Sequence, residues 1–228
     1  MGARPLLGGH VATERIHFLA HSEDAPSLEG ELWLPNTLQP GPGVVVAHPH
    51  PQRGGNMDNN VVMAICTGLQ RAGVASLRFN FRGVGHSGGK SVGGSVEVTD
   101  VLGALAFLET QPRVLPSAIG LAGYSFGARM SLAAVAGTDS IQALLCVAPP
   151  LREALPWDQH PSCPFLSLVG DRDGLVADGT DRYASFLPDP ESLRVVAGTD
   201  HFWWGYEDIL IDATQEFFAQ HLVATLSG

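Results

Sequence analysis

The sequence predicts an α/β fold: a mostly parallel, twisted sheet with helices on both faces and an antiparallel hairpin at its N-terminal edge. Three observations carry this. Gly43-Val44-Val45-Val46-Ala47 is a continuous β-branched run, as expected of a strand buried on both faces. Stretches of helical periodicity separate this run from later ones, which is the pattern of parallel strands joined by crossovers. Finally, Gly123-Tyr124-Ser125-Phe126-Gly127 links an apolar run to an Ala-rich stretch, so a serine sits on a strand-to-helix turn.

The elements follow in order. Residues 14–20 and 27–34 read as the edge hairpin, closed by turn signals. The strand at 43–47 comes next. Residues 60–72 place Val61, Ala64, Ile65 and Leu69 on one helical face, stopped by Gly73. A strand at 74–81 precedes a helix at 96–108 that ends before Pro112. Strand 118–122 and helix 126–136 flank the serine. Strands at 141–147, 165–169 and 193–197 follow. Residues 206–226 form a closing helix with Ile209, Ile211, Ala213, Phe217 and Leu222 as its apolar positions. The 228 residues are expected to form one domain.

Composition narrows the function. A content of 45% hydrophobic and 16% charged residues suits a packed globule. The net charge of −10, without a Lys/Arg cluster, argues against nucleic acid and anionic membranes as partners. Cys66, Cys146 and Cys163 cannot build a disulfide framework and lack metal-ligand spacing. No signal peptide or spanning segment is evident, so a cytoplasmic protein, monomeric or homodimeric, is the expectation.

Ser125 is the expected nucleophile. A serine hydroxyl needs a general base, and the base needs an orienting group. On this turn type the partners follow in the order acid, then histidine. Of nine histidines, His201 alone lies just past the last strand and downstream of the acid. The penultimate strand ends in Gly170-Asp171-Arg172-Asp173. Asp173, a turn beyond the strand end, is the better placed acid. Asp171 is the alternative, and otherwise braces the turn. Asp178 and Asp200 are outsiders.

An oxyanion hole needs two N–H donors. Phe126 follows the nucleophile and opens a helix. The loop His48-Pro49-His50-Pro51 offers only its histidines, because proline has no N–H. His50, farther beyond the strand, is preferred. A metal at His48 and His50 is disfavoured, since residues i and i+2 of an extended chain point oppositely. No metal or cofactor is expected. Asn and Asp residues at 56–60 read as helix caps. The glycine-rich stretch 81–89 lacks P-loop spacing and reads as a tight surface turn. Trp157, Trp203 and Trp204, with Phe126, are expected walls of an apolar acyl pocket, with core packing or a subunit contact as the alternative for the tryptophans.

Taken together, the residues resemble the α/β-hydrolase superfamily from about residue 43 to the C-terminus. The resemblance rests on His48 to Pro51, the Arg82-Gly83-x-Gly85-x-Ser87 loop, the serine pentapeptide, the Gly170-x-x-Asp173 turn and Asp200-His201-Phe202. His-Pro-His-Pro followed by Gly54-Gly55 and Met57-Asp58-Asn59 is similar to a small bacterial esterase-like branch. That resemblance implies serine hydrolysis without naming a substrate. The expected reaction is cleavage of a small-molecule carboxylic ester with a short acyl chain, with peptide, thioester or lactone cleavage and non-catalytic binding as alternatives. Only residues 148–164 separate two strands where many relatives carry a helical cap, so no cap domain is expected.

Overall fold

The computed structural model describes residues 12–37, 39–136, 138, 140–150, 161–175, 184, 187 and 189–226. Eight strands form one sheet. They are β1 (Ala12–Leu19), β2 (Ser27–Leu34), β3 (Gly41–Ala47), β4 (Ala75–Phe79), β5 (Val114–Tyr124), β6 (Ile141–Val147), β7 (Phe165–Gly170) and β8 (Leu193–Val196). Their order is β1-β2-β4-β3-β5-β6-β7-β8. β1 and β2 pair antiparallel, β2 joins β4 antiparallel, and every pairing from β4 onward is parallel. The four longer helices are α1 (Asn60–Arg71), α2 (Val98–Glu109), α3 (Phe126–Val135) and α4 (Glu207–Phe218).

Alternation along each strand divides the core. Val44, Val46, Ala122 and Leu145 pack with Ile65 and Leu69 of α1 and with Leu210 and Phe217 of α4. Val45, Leu121 and Leu144 face the opposite way and pack with Val101 and Leu105 of α2 and Leu132 of α3. Each interior strand is thus apolar on both faces, which explains the unbroken Val44-Val45-Val46 run.

Most bounds shift by a residue or two, and two elements differ in kind from the sequence reading. β5 starts at Val114, because Pro116 lies in an exposed stretch ahead of the Ile119↔Ile141 pairing and costs no ladder bond there. The closing helix is regular only to Phe218. A wider π turn, Ala219–Val223, and a tight turn, Ala224–Leu226, follow.

The loop at 81–89 is a correction. It is not a plain surface turn, because Arg82 is buried and paired with the buried Asp100. The Arg82 guanidinium donates to Asp100 Oδ1 from Nη2 (2.6 Å) and Nε (3.0 Å), and its main-chain N–H donates to Oδ2 (3.0 Å). Ser87 Oγ donates to the Asn80 carbonyl at 2.7 Å and accepts from the Glu29 N–H at 3.0 Å. These contacts tie β2, the end of β4 and the start of α2 together.

The chain leaves β3 in one direction to build β4, then returns past it to build β5. Such a reversal opens a crevice at the carboxyl ends of the strands on either side, here β3 and β5. Among the described residues no helix is long and apolar enough to cross a membrane.

Candidate active site

Ser125 occupies the turn between β5 and α3 with φ 53° and ψ −114°, a conformation that costs a non-glycine residue energy. Neighbours hold it there. Its N–H donates to the Val147 carbonyl at 2.8 Å, and its carbonyl accepts from the Arg129 N–H at 3.1 Å. The flanking glycines are steric necessities. A Cβ on Gly123 would lie 2.6 Å from the Gly127 carbonyl carbon, and a Cβ on Gly127 would overlap the Ala47 carbonyl. The turn therefore packs directly on the end of β3.

His201 follows β8 and is buried apart from its edge toward the cleft. Its Nε2 lies 3.0 Å from Ser125 Oγ, and its Nδ1 lies 2.7 Å from Asp173 Oδ2. A proton on Nδ1, donated to Asp173, leaves the Nε2 lone pair facing the serine hydroxyl. Asp173 Oδ1 accepts from the Leu175 N–H at 2.9 Å. The Tyr124 hydroxyl donates to the His201 carbonyl at 2.6 Å, and Asn60 Nδ2 donates to the Phe202 carbonyl at 3.1 Å. The histidine loop is thus held from β5 and from α1.

Asp171 does not approach the imidazole. Its Oδ1 accepts from the Gly198 N–H at 2.7 Å, so it braces the β7 turn against the end of β8. Asp200 accepts from the Phe202 N–H and stays exposed. Asp178 lies outside the described residues.

On the β3 side, His50 and Phe126 meet ring to ring at 4.9 Å. The His50 carbonyl accepts from the N–H groups of Arg53 (3.0 Å) and Gly55 (3.1 Å), and its Nδ1 accepts from the Gln52 N–H (3.2 Å). The N–H groups of His50 and Phe126 have no acceptor among the described residues. Burial, then the charges of Arg53 and Arg129, push the His50 pKa down, with Glu97 opposing them.

His48 takes a different role. Its ring is fully buried, with Nδ1 2.6 Å from the Pro49 carbonyl and Nε2 accepting the Phe81 N–H at 3.0 Å. Both nitrogens are engaged by protein. Burial lowers its pKa from 6.5 to about 4, so the ring is neutral at ordinary pH.

The tryptophans require correction. Trp203 is fully buried in the core between the sheet, α1 and α4, and does not line the cleft. Trp204 is 70% exposed and also lies outside the lining. The intervening backbone, with Trp203 at φ 61°, turns one ring inward and the other outward. Trp157 lies outside the described residues. Of the expected walls Phe126 does line the cleft, and Phe202, Leu175 and Pro150 join it, in a volume of about 550 Å³ that also contains Ser125 and His201.

Residues 24–157 match the X-Pro dipeptidyl-peptidase (S15 family) profile. The chain belongs to this family of α/β serine hydrolases. The chain is 34% identical over 172 residues to an uncharacterized protein of Rickettsia prowazekii (strain Madrid E), covering 71% of this chain and 72% of that one. An α/β serine hydrolase homologue from Coxiella burnetii superposes with a TM-score of 0.76 at 30% identity, over 88% of this chain and 96% of its own. A lidless α/β serine hydrolase from Xanthomonas campestris superposes with a TM-score of 0.78 at 28% identity, over 95% and 97%.

Two contributors to the hydrolase site were absent from the sequence reading. Asn60 reads as a cap residue, or as one of several candidates to touch substrate, yet its side chain spans to the histidine loop. Glu97, fully buried, accepts from Ser91 Oγ (2.6 Å) and from the N–H groups of Val92 (2.8 Å), Gly93 (2.9 Å) and Gly94 (3.0 Å). It thereby shapes the loop that sets Gly93 against the His50 ring. A buried-pattern glutamate one residue before α2 is the only signal, and its partners lie in a loop without periodicity.

Proposed function

We propose that the protein cleaves carboxylic esters through an acyl-enzyme, with Ser125, His201 and Asp173 as a catalytic triad. The observation that carries this is the hydrogen-bonded chain Ser125 Oγ–His201–Asp173, at 3.0 and 2.7 Å, opening on the cleft. In this reading Ser125 Oγ attacks the acyl carbon as His201 Nε2 takes its proton. Asp173 keeps the ring in the tautomer that can do so and stabilises the imidazolium. The N–H groups of Phe126 and His50 receive the developing oxyanion. His201 then protonates the departing alkoxide, and water, deprotonated by the same ring, releases the acid.

The cleft supports an ester over an N-terminal dipeptide. A dipeptidyl-peptidase must hold a substrate ammonium, for which carboxylates are the natural partners. The described lining contains no Asp or Glu. The test is hydrolysis of p-nitrophenyl butyrate by wild type and Ser125→Ala. The substitution is expected to lower kcat by about 10⁶-fold, as when a triad acts as a unit. Retention of a tenth or more of the wild-type rate would remove the assignment.

A further inference from the structure

Two arginines in the cleft have no task in the ester mechanism. Arg53 stands on the tight turn Pro51–Arg53 that follows His50, and Arg129 stands one helical turn after Ser125 on α3. A helical side chain leans toward the N-terminus of its helix, so Arg129 is directed back toward the serine. Both arginines line the same cleft as Ser125 and His201. Neither makes an ion pair or a side-chain hydrogen bond among the described residues. Both lower the His50 pKa, which places both guanidiniums within electrostatic reach of that ring.

The setting makes this pair unusual. The chain carries 23 Asp and Glu against 13 Lys and Arg, yet the described cleft lining holds two arginines and no carboxylate. The nearby acids among the described residues are already committed. Asp173 faces His201, and the two Glu97 oxygens accept from Ser91 and three main-chain N–H groups. Asp171 is bonded to Gly198. Topology then gives the cleft two sides. Arg53 belongs to the β3 side of Ser125, whereas Leu175 and Phe202 come from the loops after β7 and β8 on the other.

We propose that the physiological ester is anionic, carrying a carboxylate or phosphate that Arg53 and Arg129 bind on the β3 side while its apolar part lies against Leu175 and Phe202. Guanidinium groups suit this role, since their planar fork meets both oxyanions in two-point geometry. The inference rests on the ester-hydrolase reading and names the substrate class for that site.

The test compares kcat/KM for matched substrates, each corrected for its rate of hydroxide hydrolysis. Phenyl acetate is set against 4-acetoxybenzoate and 4-acetoxyphenyl phosphate, and p-nitrophenyl butyrate against mono-(p-nitrophenyl) succinate. At least one anionic ester is expected to exceed its neutral partner by about tenfold or more, mainly through KM, with the advantage shrinking as salt rises. A larger advantage for the benzoate or succinate identifies a carboxylate, and a larger one for the phosphate ester identifies a phosphoryl group. The ratio of anionic to neutral kcat/KM should collapse in Arg53→Gln and Arg129→Gln and be partly kept in Arg129→Lys. This ratio is read within each variant, so a loss of folded protein does not alter it. Hydrolysis of neutral esters without anion preference, or a ratio unchanged in the glutamine variants, overturns the inference and leaves the ester reading standing. No hydrolysis of any ester overturns both.

Discussion

His48 predicts how stability responds to acid. Its imidazole is fully buried, accepts the Phe81 N–H and binds the Pro49 carbonyl, so protonation would place a second donor against an N–H. Burial lowers its pKa from 6.5 to about 4. Because the folded pKa is the lower one, the unfolded chain binds this proton first as pH falls. The contribution is therefore complete above pH 6.5 and is lost between 6.5 and 4. With 1.36 kcal/mol per pKa unit, the full loss is about 3 kcal/mol, of which about 2 kcal/mol has gone by pH 5. The assay is urea unfolding followed by tryptophan fluorescence at pH 7.5, 6 and 5. His48→Gln keeps an acceptor for Phe81 but cannot titrate. It should be less stable at pH 7.5 by about 1–3 kcal/mol, and its stability should decline less steeply toward pH 5. Parallel pH curves for wild type and His48→Gln would refute the argument.

The two aspartates of the β7 turn should separate cleanly. Asp173→Asn is expected to lower kcat by about 10⁴-fold by favouring the wrong histidine tautomer, as in other triads. Asp171→Asn should keep kcat within about tenfold while lowering Tm, which steady-state kinetics and thermal melts distinguish. At the other side of the sheet, Arg82→Met leaves Asp100 buried without its partner and should cost about 3–5 kcal/mol of unfolding free energy. Adding Asp100→Leu should recover a large part of that loss, and chemical denaturation of both variants checks it.

What the sequence made legible is whatever local pattern dictates. The strands announce themselves because burial on both faces demands unbroken apolar runs. The pentapeptide marked Ser125, and the order of strand ends led to His201 and favoured Asp173 over Asp171; the fold brings the three within hydrogen-bond reach of one another. The misreadings occur where distant segments decide. Trp203 and Trp204 are adjacent, yet at a positive-φ turn the first enters the core and the second faces solvent. Arg82 looks like a turn residue until α2 supplies Asp100 beside it. His48 and His50 are alike in sequence, yet one is pinned by the strand-end loop of β4 and the other faces the cleft. The strand read at 118–122 reaches back to Val114 through a stretch around Pro116 that pairs little with its neighbours.

The most direct test of the central claim is covalent. A fluorophosphonate reacts with a serine only when a base removes its proton and an oxyanion site holds the phosphoryl oxygen. Incubated with folded protein and read by intact mass and peptide mapping, it should add one adduct, on Ser125. That adduct should be absent in Ser125→Ala and form far more slowly in His201→Ala. No adduct on the folded wild-type protein, or an adduct on another residue, would contradict the account.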